Sequence, residues 1–269
     1  MVTSIMFRNK LLGGIYAEPF AGGGGLALSL LFAEVAREIH LNDVDPAIAA
    51  LWRSILGSCE TLCSMIETTP VTIDEWHRQR DIYRTSGDGD LTAFGFATLF
   101  LNRTNRSGII KGAGVIGGLR QTGNYLLDCR FNKDDLVRRI LRISKYRNRI
   151  SFTSMDALEF LHERDRLELE DQFLMIDPPY FGKGADLYTS YYREDDHRVL
   201  ADVILGLKTP WITTYDSCPQ ITRLYRKRRQ YRFAIQYSVQ TKRLGSELMV
   251  VSKGLRIPKD IGLTAVDPN

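Results

Sequence analysis

No apolar run in this 269-residue chain approaches the roughly 18 residues that cross a bilayer, so no membrane-spanning segment is expected. The first residues, Met1–Lys10, lack the layout of a secretory signal: a charged start, an apolar stretch, then small residues. Cysteine is scarce. Cys59, Cys63, Cys129 and Cys218 are too few and too scattered for a disulfide framework, and free thiols in a reducing compartment follow. Cys59 and Cys63 stand four apart, but no second pair completes a zinc site, and the four histidines (His40, His77, His162, His197) show no ligand spacing. No metal is therefore expected. Internal repeats and low-complexity tracts are missing too. The net charge of +4 is small, so the distribution of charge says more than its sum.

What is present is α/β alternation with polar residues at the ends of apolar runs. Phe173–Ile176 is a short apolar run that stops at Asp177-Pro178-Pro179-Tyr180. A run of this kind bounded by a breaker reads as a buried strand. Two prolines fix the turn and supply no N–H, which leaves the Pro178 carbonyl without a helical or sheet partner. A carboxylate, a carbonyl and an aromatic ring thus gather at a strand tip, where ligands bind in open α/β sheets. A rigid turn alone would also account for those four residues.

Earlier in the chain, Ile15–Phe20 reads as a strand, Ala21–Gly25 as a glycine loop, and Leu26–Arg37 as a helix. Ile39–Asp43 is the next strand. Asp43 lies about twenty residues past the loop, the spacing at which an acid holds a ribose diol. One helix is expected from Ala47 to about Ile66. In the last third, Ile150–Ser154 leads to Asp156 and a helix over Ala157–Arg166, and Tyr188–Tyr192 is aromatic and polar. Asp195 and Asp196 are N-cap candidates for a helix through Leu207. Trp211–Asp216, Tyr231–Val239 and Glu247–Ser252 read as further strands, and Arg223–Arg229 is a basic run.

The middle of the chain differs. Val71–Arg149 holds fifteen Lys/Arg against eight Asp/Glu, so the remainder is net acidic. A polar helix near Asp74–Arg80, a Ser86–Asp90 break and an apolar helix over Leu91–Leu101 precede an aperiodic loop. That loop carries Asn102, Arg103, Asn105, Arg106, Lys111 and Arg120. Arg and Asn are residue types that read purine edges, and Lys/Arg neutralise phosphate. These six are the candidate nucleic-acid contacts. Residues 68–149 are accordingly expected to form an inserted, mostly helical domain, with 1–67 and 150–269 forming the α/β domain.

These residues resemble a known family. Ala17–Gly24, Asn42-Asp43, Leu101–Thr104 with Ser107–Ile109, Asp177–Tyr180 and Gly245–Leu248 are similar to motifs of the Dam-type DNA adenine N6-methyltransferases, in the family's order. The resemblance implies a class I, Rossmann-like methyltransferase sheet with a DNA target-recognition insertion. It implies S-adenosylmethionine as cofactor, double-stranded DNA as partner, and cytoplasmic residence in a prokaryotic cell or under phage control. A cognate restriction or defence component is a further expected partner.

By the same resemblance, Asp177, Pro178, Pro179 and Tyr180 would be catalytic. The Glu18–Gly25 segment, with Phe20, Gly22 and Gly24, would hold the methionine part of the cofactor. Asp43 would hold its ribose, Asp156 would sit near its adenine, and Asp177 would adjoin the site. The chain departs from the family at its start, where relatives carry a Lys-bearing glycine motif well upstream of Glu-Pro-Phe. Seventeen residues precede Glu18 here, and Lys10 with Gly13-Gly14 is too close to be its plain equivalent. Two alternatives stay open: a DNA-binding protein with this fold and impaired cofactor binding, and an amino-methyltransferase acting on RNA or protein.

Overall fold

Eight strands form one sheet in the computed structural model, which describes residues 1–85, 89–181, 192–237 and 243–266. The Ser86–Asp88 part of the expected break and Tyr188–Tyr191 lie outside those residues. In chain order the strands are β1 (Gly14–Glu18), β2 (Ala36–Asn42), β3 (Ile150–Thr153), β4 (Gln172–Ile176), β5 (Trp211–Asp216), β6 (Gln230–Tyr237), β7 (Arg243–Val251) and β8 (Thr264–Val266). Their spatial order is β3-β2-β1-β4-β5-β7-β6-β8. The first five are mutually parallel. β7 runs antiparallel to β5, and β6 and β8 continue antiparallel outward.

β1 and β4 are buried along their whole length, as parallel strands covered on both faces must be. From β1 the chain proceeds outward through β2 and β3, then returns to place β4 on β1's other side. The order therefore reverses between β1 and β4. That crevice, at the carboxyl ends of the strands, is where an open α/β sheet binds its ligand. On the β4–β5 side, Leu174, Ile176, Trp211 and Tyr215 pack with Leu200, Ala201 and Ile204 of a helix over Glu194–Gly206.

Two compact units divide the chain. One comprises Met1–Val44 with Arg149–Asn269, and the other Asp45–Asn148. The division falls at Asp45, upstream of the change in composition near residue 68, and packing explains why. The second unit contains α3 (Pro46–Gly57), α4 (Cys59–Thr68), α5 (Ile73–Thr85), α6 (Leu91–Thr104) and α7 (Lys133–Lys145). α1 (Val2–Arg8) and α2 (Gly25–Phe32) belong to the sheet unit. α3 packs on α6 and α4 on α7, so α3 and α4 bury their apolar faces within the helical unit.

The α3–α6 contact is closest at Gly95. A Cβ there would sit 2.8 Å from the Ala50 carbonyl oxygen and 2.5 Å from the Ser54 hydroxyl. Gly95→Ala is therefore expected to destabilise the helical unit by about 1–3 kcal/mol, the usual cost of overpacking, despite alanine's better helix propensity. A thermal melt of the variant as stable as the parent would show that the two helices can part without loss.

Several boundaries differ from the sequence reading for local reasons. α2 stops at Phe32 instead of reaching Arg37. Glu34 takes φ +55, while the Val35 N–H donates to Leu30 O and the Glu34 N–H to Leu31 O. That is a Schellman closure built without glycine. The single helix expected over Ala47–Ile66 is two, α3 and α4, broken at Ser58 just after Gly57. The helix over Glu194–Gly206 (α9, after α8 at Ala157–Arg166) has Arg193 at its N-cap rather than Asp195 or Asp196; the Asp196 carboxylate accepts the Arg193 N–H at 2.8 Å. β8 pairs with β6 in a tail that shows little pattern.

Candidate active site

β1 ends at Glu18, and the chain then turns through Pro19–Gly24 into α2. Gly22 and Gly24 both have positive φ, +48 and +59, which explains glycine at these two places. The Gly22 N–H donates to Asp43 Oδ2 at 2.8 Å, so the acid at the tip of β2 holds the loop. Asn42, buried beside it, uses its whole amide. It donates to Pro19 O (3.1 Å) and Met155 O (3.0 Å) and accepts from the Met155 N–H and the Thr153 hydroxyl. One side chain thereby ties the tips of β1, β2 and β3 together.

Across the crevice, β4 ends at Ile176 and the Asp177–Tyr180 turn follows. β5 and β7 pin it. The Thr214 hydroxyl donates to Asp177 Oδ1 at 2.7 Å, the Tyr180 hydroxyl to Glu247 Oε1 at 2.6 Å, and the Phe181 N–H to Asp216 Oδ1 at 3.0 Å. No described residue donates to the Pro178 carbonyl. The prolines thus remove two N–H groups, and three bonds fix the turn from neighbouring strands.

Glu18 and Asp177 face a common cavity of about 170 Å³, also lined by Phe20, Ala21, Gly25, Leu26 and Met175. Burial pushes the Glu18 carboxyl up to about 7 and the Asp177 charge adds to the rise, while the Tyr16 hydroxyl (2.7 Å) and the Ala27 N–H oppose it. Asp177 is open to water on one side and hemmed in by protein on the others. This desolvation raises it to about 6; the Thr214 bond opposes the rise and the nearby Glu247 adds to it. Among the described residues no lining side chain is basic, so those that line the cavity are acidic or uncharged.

A family model for D12 class N6 adenine-specific DNA methyltransferases matches residues 6–243. The chain belongs to this family. It is an enzyme that methylates adenine in DNA. A search of curated proteins gives no match. The matched range includes Asp45–Asn148. No helix among the described residues of this methyltransferase is long and apolar enough to cross a membrane.

The structure brings together Glu18, Phe20 and Asp177 around the cavity, with Gly22 and Gly24 in the adjoining loop and Asp43 bonded to that loop from the tip of β2. Asp156 stands apart as the N-cap of α8, exposed, accepting the Leu158 N–H at 2.8 Å. The six candidate DNA residues lie in the helical unit of the methyltransferase and divide. Asn105 is buried: its oxygen accepts the Trp76 indole N–H at 2.7 Å and its NH₂ donates to Ile109 O and Ile110 O. Asn102 donates to Gly108 O at 2.9 Å. The Asn105 amide is thus taken up in stapling the loop instead of facing a base, a correction to the sequence reading, while Asn102 is partly exposed and its one described side-chain bond also holds the loop.

Gln121 does the same further on, bonding Ile116 O, Gly118 O and the Leu127 N–H. Arg103 is half-buried with its Nε sequestered, whereas Arg106, Lys111 and Arg120 are exposed. Tyr16, Asn42, Thr214 and Glu247 were absent from the candidate site residues. Of these, Glu247 carried a signal: a carboxylate in an otherwise apolar strand.

Proposed function

We propose that this D12 methyltransferase transfers a methyl group from S-adenosylmethionine to N6 of an adenine flipped out of double-stranded DNA. The observation that carries the reading is the pairing of Glu18 and Asp177 on one cavity whose described lining holds no basic side chain. Two carboxyls held above their ordinary range favour a ligand that brings positive charge. S-adenosylmethionine carries an ammonium and a sulfonium, and when bound it supplies an electrophilic methyl group. The donor set fits: Glu18 for the ammonium, Phe20 and Met175 as apolar walls. Asp43, fixed by its bond to Gly22, is placed for ribose hydroxyls, and Asp156 retains a role near the cofactor's adenine in this reading.

The chain's own groups then act on the amine. An exocyclic adenine amine is a weak nucleophile because its lone pair is delocalised into the ring. The Asp177 carboxylate and the Pro178 carbonyl accept its two hydrogens and localise that lone pair. Pro179 holds the turn, and the proton released after transfer leaves by way of Asp177. Flipping the base costs a few kcal/mol. Stacking on Tyr180, steadied by Glu247, returns roughly 1–3 kcal/mol. Extrusion and stacking nearly offset each other, so the rate enhancement rests on the two acceptors and on proximity.

The Asp45–Asn148 unit is read as the target-recognition domain, with Arg106, Lys111 and Arg120 as phosphate or base contacts and Arg103 supporting the loop. Replacing Arg106, Lys111 and Arg120 by alanine is expected to weaken duplex binding and to make its salt dependence shallower. Each lost phosphate contact reduces the log–log slope by about 0.9. Cofactor binding should not change. Filter binding across a salt series checks this, and an unaltered slope would remove these residues from the interface.

Incubating the protein with methyl-labelled S-adenosylmethionine and, separately, duplex DNA, RNA and a protein mixture tests the function as a whole. Label is expected in duplex DNA, recovered as N6-methyladenine. Label in RNA or protein alone, or no heat on titration with S-adenosylmethionine, would overturn the proposal.

A further inference from the structure

A second cavity, of about 560 Å³, lies at the other end of the sheet. Two segments form it: Lys227–Arg229, which lead into β6, and Val251–Arg256, which lead out of β7. The strand register sets its place. Glu247, which anchors Tyr180, pairs with Asp216 at the carboxyl end of β5, whereas Val251 pairs with Ile212 near its start. Four strand steps at about 3.4 Å each put the cavity's near edge about 14 Å from that anchor. Lys253–Arg256 run further still. The cavity therefore opens at the amino ends of the parallel strands, away from Asp177.

Five of its nine lining residues are cations (Lys227, Arg228, Arg229, Lys253 and Arg256) and none is acidic. No ion pair among the described residues involves any of the five. Some exposed cations of the same unit do have acidic partners: Arg37 with Asp171, Arg149 with Glu34, Lys208 with Glu168. The bowl is also built rather than incidental. Arg229 donates to Leu255 O, and Arg228 to Leu205 O at 3.0 Å. Asn9 clamps Arg256 from α1's end, donating to its carbonyl at 2.8 Å and accepting its N–H at 2.7 Å. Asn9 is flanked by the exposed Arg8 and Lys10, which bring two more cations to that edge.

A small-molecule pocket is mostly apolar with a few placed polar groups. This lining is the reverse, an open surface of like charges with no counter-charge, which is how proteins track a phosphate backbone. The chain acts on DNA, so DNA is at hand. A duplex presenting its adenine at Asp177 meets the carboxyl ends of the strands, whereas this bowl opens at their amino ends. We propose that the basic bowl formed by Lys227–Arg229 and Val251–Arg256 binds the phosphate backbone of a second DNA segment while the first occupies the catalytic rim. The protein would then bridge two segments, or pass from one to the other during its search. This inference rests on the chain's action on DNA and not on the residue roles proposed above.

The test uses the full chain carrying Lys227→Gln, Lys253→Gln and Arg256→Gln together, whose side chains make no described hydrogen bond. Protein is loaded on a bead-anchored duplex, its retention is measured, and a second fluorescent duplex is added at about 50 mM salt. The parent should capture the second duplex, and capture should fall steeply with salt. The triple variant should be retained on the bead as the parent is, methylate a short duplex at the parent's rate, and lose at least about nine-tenths of the capture. A control with Lys227→Arg and Lys253→Arg, which keeps the charge, should still capture. Equal capture by parent and triple variant overturns the proposal, as does retention without capture by the parent. Calorimetric binding of inorganic tripolyphosphate without duplex capture overturns it as well, and would mark a small phosphate ligand instead.

Discussion

Asp177→Ala is expected to lower methyl transfer by at least about 10²–10³-fold, the loss typical when one preorganised polar contact to a reacting group is removed. Binding to duplex DNA should stay within a few-fold. Asp177 Oδ1 is fixed by the Thr214 hydroxyl, and the turn behind it is fixed at Tyr180 and Phe181, so the carboxylate is held in place before any adenine arrives. Removing it leaves only the Pro178 carbonyl to receive the amine hydrogens, and the lone pair stays delocalised. Unfolding will not account for the loss. A carboxyl raised to about 6 by desolvation is an unfavourable charge at neutral pH, and the empty protein should melt no lower without it. The acceptor is the ionised form, so parental activity should rise as pH increases through about 6. Single-turnover methylation over a pH series reads both effects. An alanine variant that keeps more than about a tenth of the parental rate would show that Asp177 is not the acceptor.

Much of this site was legible because its main groups stand at the ends of apolar runs. Glu18, Asp43 and Asp177 each follow a strand that the sequence shows by hydrophobicity alone, and the sheet order brings the first and last of them to one crevice. The contacts that hold them were not legible, for a physical reason. Thr214 and Glu247 sit inside strands, where period-2 alternation assigns a face but not a partner. Asn42 looks like any polar residue at a strand end until the tips of β1 and β3 arrive beside it. The same blindness misplaced Asn105. An amide in a basic loop fits base reading and loop stapling equally well, and only the position of Trp76 decides. The end of α2 escaped because Glu34 occupies the left-handed position where glycine is the usual signal.

Glu18→Gln should reveal the charge on which the cofactor reading depends. In the folded protein the Glu18 carboxyl is raised from 4.5 to about 7, mainly by burial. Between those values the fold keeps a proton that the unfolded chain has released. The unfolded state binds fewer protons there, so stability falls as pH rises through the window. At about 1.4 kcal/mol per pH unit, the total is on the order of a few kcal/mol. Glutamine is isosteric with the neutral acid, so the variant's empty form should lose this slope and be the more stable protein at pH 8. Ligand binding should move the other way. An ionised Glu18 facing a ligand ammonium makes a charge-assisted bond of about 1.5–3 kcal/mol, so the variant should bind S-adenosylmethionine roughly 10–150-fold more weakly at pH 8. Parental affinity should improve as pH rises toward 8, and that of the variant should respond much less. Chemical denaturation and calorimetry across pH 5–8 separate the two effects. A flattened stability slope with unchanged affinity would confirm the buried carboxyl and dismiss it as a cofactor ligand. Weakened affinity with both pH trends reduced is the result that joins the buried charge to the methyl donor.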